Sequence, residues 1–221
     1  MDSGAMKRQR YHLQKGLRRG IFRFPEHTIR ALQEERLFNG PAPIDESLRE
    51  KTLCFTGHRE IPGDGLPELT GKLDDLLEAA FRKGYSRFLC GGALGFDTLA
   101  AQRVLVLQSR HPEVRLILAL PCTGQADSWT EEEKRTYQRL KYAASEVHML
   151  SDFYYRGCMH VRNRYMVDRS AFCFCYLRDL QGGGTLFTVA YALRKGIPVL
   201  NVAMEDACRA FLKEENQSPG C

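Results

Sequence analysis

Gly182-Gly183-Gly184-Thr185 is the stretch with the most direct chemistry to offer. Consecutive glycines let backbone N–H groups approach a ligand with no Cβ in the way. A helix beginning at such a turn adds its first-turn N–H groups and positive dipole end, which favour an anion, most often a phosphate. The Thr185 hydroxyl adds one more donor. Glycines at a strand-to-helix turn often serve geometry alone, so the reading gains weight from other turns of the same kind. Gly57-His58-Arg59 sets an imidazole and a guanidinium behind a glycine, donors suited to phosphate or carboxylate. Gly91-Gly92-Ala93-Leu94-Gly95-Phe96-Asp97 is another glycine-rich turn. Asp97 there most simply caps the following helix; beside a nucleotide it would accept from ribose hydroxyls, because a carboxylate repels phosphate. Arg162-Asn163-Arg164 is a charged run that is either a solvated helix face or, if its helix opens into a crevice, the source of a phosphate-binding arginine.

These groups act together only if the chain gathers them. Ala171 to Leu177 is an apolar and aromatic run without helical spacing, the mark of a strand buried on both faces. Lys51 to Thr56, Ser86 to Cys90, Val114 to Leu120, Glu146 to Leu150 and Ile197 to Asn201 read as further strands. Between them, Leu66, Leu69, Leu73, Leu76, Leu77, Ala80 and Phe81 fit one helix face, closed by Gly84. A second helix is expected from Thr98 to Gln108. Thr130 and Glu133 form a capping box that starts a third, running to Ala144. Leu186, Val189, Ala190 and Leu193 mark the helix after the triple glycine, up to Gly196, and a short helix over Glu205 to Leu212 ends the fold. Strand, turn and helix in repeated alternation predict a parallel sheet with helices on both faces. In such sheets ligands bind beyond the carboxyl ends of the strands, where every motif above falls. Trp129, the single tryptophan, either packs the start of the Thr130 helix or flanks a ligand ring.

Composition sets the outer bounds. At 221 residues, the chain suits one α/β domain with an appendage. Residues 1–47 read as a basic N-terminal extension and linker, 48–214 as one nucleotide-binding domain and 215–221 as a tail. No apolar run reaches the roughly 20 residues of a membrane span, and the expected setting is cytoplasmic. The eight cysteines form no Cys-x-x-Cys pair, so they read as small core residues, not as a metal site or a disulfide framework. Net charge is uneven: residues 1–30 hold eight Lys or Arg against Asp2 and Glu26, a net of +6, and the whole chain carries +5, which leaves −1 elsewhere. Tyr11, Phe22 and Phe24 are interleaved with that basic arm, the mixture of a segment that meets phosphates and stacks on bases, although the simpler reading is a solvated or partly helical extension that packs on its own domain or on a second subunit.

Taken in order, Cys54 to Arg59, Gly91 to Asp97, Arg162 to Asp168, and Gly183-Gly184-Thr185 with Thr188 resemble the YpsA-like family of the SLOG superfamily, over residues 50–202. The resemblance implies a Rossmann-like three-layer α/β sandwich with a mainly parallel sheet. It implies a bacterial homo-oligomer that binds a nucleotide or nucleotide-derived molecule, such as ADP-ribose or NAD, as a sensor or regulator with no cofactor required. The residues it assigns to the ligand are Gly57, His58 and Arg59; Gly91, Gly92, Gly95 and Asp97; Arg162, Asn163 and Arg164; and Gly183, Gly184, Thr185 and Thr188. Two related families keep other readings open. Lonely-guy phosphoribohydrolases cleave a base from a nucleotide with a Pro-Gly-Gly-x-Gly-Thr-x-x-Glu motif, and Thr188 stands where its glutamate is expected. A hydroxyl is no general base near neutral pH, so that N-glycosidase route needs another acid, such as Asp97. DprA proteins, which bind single-stranded DNA, share the Gly91 to Asp97 pattern and the Arg-Asn-Arg run. The near-neutral charge outside the arm offers no long groove for a strand.

Overall fold

The computed structural model describes residues 44–180 and 182–213. The basic arm before residue 44 and the tail after residue 213 lie outside the described residues, as do the readings made on them. Asp45, late in the expected linker, accepts the N–H groups of Ser47 and Leu48 and so caps a one-turn helix, α1 (Glu46–Glu50).

Six strands follow among the described residues: β1 (Thr52–Gly57), β2 (Arg87–Cys90), β3 (Arg115–Leu120), β4 (Glu146–Met149), β5 (Phe172–Tyr176) and β6 (Val199–Asn201). They form one all-parallel sheet in the order β4-β3-β2-β1-β5-β6. The connecting helices are α2 (Leu66–Arg82), α3 (Phe96–Arg110), α4 (Glu131–Ala143), α5 (Cys158–Asp168) and α6 (Gly184–Arg194), with α7 (Glu205–Lys213) after β6. The result is a Rossmann-like, three-layer α/β fold.

The alternation of side chains along each strand sorts two cores onto the two faces. On one face Leu53, Phe55, Phe88, Leu116, Leu118, Phe172 and Phe174 meet α2, α3, α4 and α7. On the other, Cys54, Leu89, Ile117, Cys173 and Cys175 meet Met166 and Val167 of α5 and Val189 and Tyr191 of α6. The cysteines are small enough to let α6 lie close to the sheet, with the Tyr191 ring fully buried above them. Consecutive connections carry the chain outward from β1 to β4 over the first face. The next connection returns it across the second face to β5, on the other side of β1. The strand order therefore reverses between β1 and β5, the kind of point at which ligands bind beyond the carboxyl ends of the strands in open α/β sheets.

Two local expectations meet different outcomes. The Thr130–Glu133 capping box is present: Thr130 Oγ1 accepts the Glu133 N–H at 3.3 Å, and Glu133 accepts the Thr130 N–H at 2.8 Å. Only Tyr137 and Leu140 of α4 are fully buried, so this helix depends on its cap. Thr130→Ala should cost about 1 kcal/mol in urea denaturation; an unchanged midpoint would show that the cap contributes nothing. Asp97, by contrast, does not occupy the N-cap of α3. The helix begins two residues before Thr98, with Gly95 (φ 76°) at the cap position. The early start seats the Phe96 ring in the core against Phe55 and Tyr176. Trp129 packs at the start of α4, with its ring edge-on to Tyr137 at 5.3 Å.

β4 is an edge strand with charged and imidazole side chains pointing inward, a feature that discourages pairing with another edge. Glu146 accepts from Arg87 at 2.8 Å and pairs with His148 at 3.0 Å, while His148 Nδ1 meets the Tyr165 hydroxyl at 2.8 Å. A concavity of about 190 Å³ beside this network is lined by Leu48, Arg87, Ile117, His148, Tyr165 and Arg169, among others. It lies toward the amino ends of the strands, away from the glycine turns.

Candidate functional site

At the reversal between β1 and β5, the loops leaving the two strands are tied to each other. The His58 N–H donates to Tyr176 O at 3.1 Å, and the Arg178 N–H donates to His58 Nε2 at 3.0 Å. A backbone N–H can only donate, so His58 Nε2 carries no proton in this arrangement and the neutral ring holds its proton on Nδ1. Arg59 follows at the exposed tip of the same loop. After β5, Gly183 (φ 93°) turns the chain into α6, whose first intrahelical bond runs from Phe187 N–H to Gly183 O at 3.1 Å. The N–H groups of Gly184, Thr185 and Leu186 precede that bond and have no intrahelical acceptor. A Cβ at Gly183 would meet nothing within 4 Å, so the turn opens outward, and its glycine is demanded by φ alone.

Other residues of the predicted set lie behind this surface and hold it in place. Arg162 and Asn163 are buried, as is Asp97, at only 4% exposure. Arg162 donates Nε–H to Asn163 Oδ1 at 2.7 Å and Nη1–H to the Gly91 carbonyl, and its Nη1 stands 3.8 Å from Asp97 Oδ2. Asn163 Nδ2 donates to Gly184 O at 3.3 Å, and the Thr188 hydroxyl donates to the same carbonyl at 2.7 Å. One helix thus grips two glycine turns, that after β2 and that before α6. Gly91 has to be glycine because a Cβ there would fall on the Arg162 guanidinium and 2.7 Å from Asp97 Oδ2. Gly95 is equally constrained: a Cβ would strike the backbone carbonyl of Arg59, so this close approach fixes the β1 loop against the start of α3.

Burial pushes the Asp97 carboxyl up to about 6, against the opposing pull of Arg162 and of backbone N–H groups at Ala93 and Gly91. Thr185 is buried, Gly183 and Gly184 are exposed, and half-buried Arg164 lies 5.9 Å from the Phe187 ring between α5 and α6. The predicted residues therefore divide into a surface set, Gly57 to Arg59 with Gly183 and Gly184, and an interior clamp of Gly91, Asp97, Arg162, Asn163 and Thr188. The sequence reading missed Gln125. Its side chain is buried, and its Nε2 donates to the carbonyls of Gly91 at 3.3 Å and Gly92 at 2.9 Å. A glutamine in a polar turn gives no local sign of such a role.

The family model for YpsA, described as the YspA SLOG family, matches residues 64–198, well over half of the chain. The chain belongs to the YspA SLOG family. Among curated relatives, an uncharacterised SPbeta prophage-derived protein YoqJ of Bacillus subtilis is 31% identical over 96 residues, covering 38% of this chain and 56% of that one. A UPF0398 protein of Bacillus velezensis is 24% identical over 179 residues, covering 75% of this chain and 98% of the relative. Among solved structures, DNA processing protein A of Streptococcus pneumoniae aligns over 76% of this chain and 57% of its own, with a TM-score of 0.50 at 19% identity. That likeness shows a shared fold. In this SLOG chain the matched span begins just before α2 and ends just before β6, so it takes in the β2 turn, the α5 clamp and the α6 turn, while Gly57 to Arg59 precede it.

Proposed function

We propose that the β1/β5 crevice binds the phosphate-bearing part of a nucleotide or nucleotide-derived small molecule, and that the domain senses this ligand without hydrolysing it. The observation that carries the reading is the joining of the β1 and β5 loops by two hydrogen bonds at the point of strand reversal. The N–H groups that open α6 at Gly184 and Thr185 follow the β5 loop, which is bonded to His58 through the Arg178 N–H, and Arg59, the next residue of the β1 loop, is exposed, with its charge within reach of Glu133 at the start of α4. Backbone N–H groups at a helix start, a guanidinium and an imidazole Nδ1–H are all donors, and no carboxylate of the predicted set stands among them. The position where a related phosphoribohydrolase motif carries glutamate is Thr188, which is fully buried with its hydroxyl given to Gly184 O. This arrangement favours holding an anion over cleaving an N-glycosidic bond. Asp97, enclosed with Arg162, acts in this reading by positioning the turn after β2.

A thermal-shift series of the full chain with nucleoside mono-, di- and triphosphates, NAD, ADP-ribose and a single-stranded oligonucleotide tests the proposal. Chromatography of each mixture then shows whether the ligand survives. A small nucleotide at about 100 times its dissociation constant should stabilise the fold by about 2.7 kcal/mol and be recovered intact. Arg59→Ala should remove most of that shift, since Arg59 is exposed and its loss leaves the core untouched. An unchanged shift takes Arg59 out of the site. Release of free base would make the domain a hydrolase, and a response to the oligonucleotide alone would make nucleic acid the ligand.

A further inference from the structure

We propose that the cavity of about 190 Å³ at the amino ends of the strands is a second ligand site, and that it takes a small organic carboxylate with an apolar body. Strand register assembles its floor. Thr52 pairs with Arg87, Leu89 with Ile117, Ile117 with Glu146 and Ala119 with His148. Side chains alternate along a strand, so Thr52, Arg87, Leu89, Ile117, Glu146 and His148 all project from the face on which α5 packs. Toward the β4 edge that face is covered only in part, and the side chains of Glu146 and His148 stay 35% exposed. Tyr165 and Arg169, at the end of α5, make one wall of the cavity, and Leu48 and Arg49 of α1 make another. The Thr52 hydroxyl holds α1 there by donating to Leu48 O at 2.7 Å.

The balance of donors and acceptors selects the ligand. Three guanidinium groups, those of Arg49, Arg87 and Arg169, line the cavity against the carboxylates of Asp45 and Glu146. Both carboxylates already serve protein donors. Glu146 accepts from Arg87 on Oε1 and meets His148 Nε2 through Oε2. Asp45 Oδ1 takes the Ser47 N–H at 3.0 Å and the Leu48 N–H at 3.4 Å. The guanidinium donors are not used up in the same way, because each group carries five N–H bonds. Arg87 gives one, to Glu146, and Arg49 gives one, to Glu46 at 3.0 Å. Their side chains are only 18% and 28% exposed, so an acceptor inside the cavity serves them better than bulk water does. A carboxylate matches the planar fork of a guanidinium with two parallel bonds. Leu48, Leu89 and Ile117 offer the apolar surface for the rest of the molecule. The Tyr165 ring adds a fixed wall, with its hydroxyl on His148 Nδ1 at 2.8 Å and the Arg169 guanidinium 4.0 Å from its centroid. The volume lies below the roughly 300 Å³ at which pockets for drug-sized ligands begin, so the occupant is smaller than a nucleotide. The site therefore stands apart from the β1/β5 crevice in both place and ligand.

The test is an amide NMR titration of the nitrogen-15-labelled full chain with benzoate and with 3-phenylpropionate, each beside its neutral amide, and with inorganic phosphate. The expected result is saturable shifts with both acids at amides of residues 44–52, 87–89, 146–149 and 165–169, with residues 183–187 unmoved. Each neutral amide should bind at least about tenfold more weakly, the effect of losing one charge-assisted hydrogen bond. Phosphate, which has charge but no apolar body, should also bind more weakly than either acid. Arg87→Lys keeps a charge beside Glu146 but loses the planar fork, and it should weaken acid binding by about tenfold, as should Arg49→Gln. The proposal is overturned if neither acid gives saturable shifts, if an amide or phosphate binds as tightly as the acids, or if the shifts centre on residues 183–187. The unsubstituted chain alone decides among these outcomes, even where a variant fails to fold.

Discussion

Arg162→Ala is expected to cost about 3–5 kcal/mol of folding stability, the range for breaking a buried ion pair from one side. The alanine leaves the Asp97 carboxylate enclosed without its cation, the Gly91 carbonyl without its guanidinium donor and Asn163 Oδ1 without the Nε–H it accepts. A matched surface control is at hand. Arg103 meets Asp74 through two bonds, at 2.6 and 2.7 Å, with both side chains partly exposed, and Arg103→Ala should cost about 1 kcal/mol or less. Urea denaturation of the two variants beside the parent measures the contrast. Equal, small losses would mean that the α5 clamp does not hold the fold together. Nucleotide-induced stabilisation should also fall in Arg162→Ala although Arg162 faces the interior, because Asn163 beside it is the link to the Gly184 turn.

The part of this arrangement that is local in sequence was legible, and the part made by distant elements was not. The triple glycine, the apolar run before it and the helical spacing after it specify a strand, a turn and a helix within fifteen or so residues, and β5 and α6 stand there within two residues of the expected limits. The capping box at Thr130 is likewise complete within four residues. Strand order is different in kind: that β5 lies beside β1 and not beyond β4 depends on which way a crossover returns, which no periodicity records. The same limit applies to Arg162. Its carbonyl partner is Gly91, on an element far away in the chain, and a charged triplet on a helix is ordinarily a solvated face. The early start of α3 was hidden for another reason. Asp97 is a good capping residue, but burial of Phe96 outweighs that local preference, and Gly95 permits the backbone turn that burial requires.

The pH dependence of stability should carry the signature of Asp97. Its carboxyl is raised from an ordinary 3.8 to about 6, first by burial, with Arg162 opposing. Between those values the folded chain holds a proton that the unfolded chain has released, so raising the pH favours unfolding. The stabilisation is complete below about pH 4 and is lost as pH rises through 6; a difference of about 2 pH units corresponds to about 3 kcal/mol. Glu133 and Glu205, whose carboxyls are lowered by their hydrogen bonds to Thr130 and Lys72, oppose this slope in the parent. The informative quantity is therefore the difference between the parent and Asp97→Asn across pH 3.5 to 7.5, in which the other groups cancel. That difference should move against the parent by about 3 kcal/mol between roughly pH 4 and pH 6.5. Parallel curves would show that Asp97 is better solvated than its enclosure indicates. A sloping difference would mean that near neutral pH the turn after β2 contains an ionised carboxylate held at a cost and offset by Arg162.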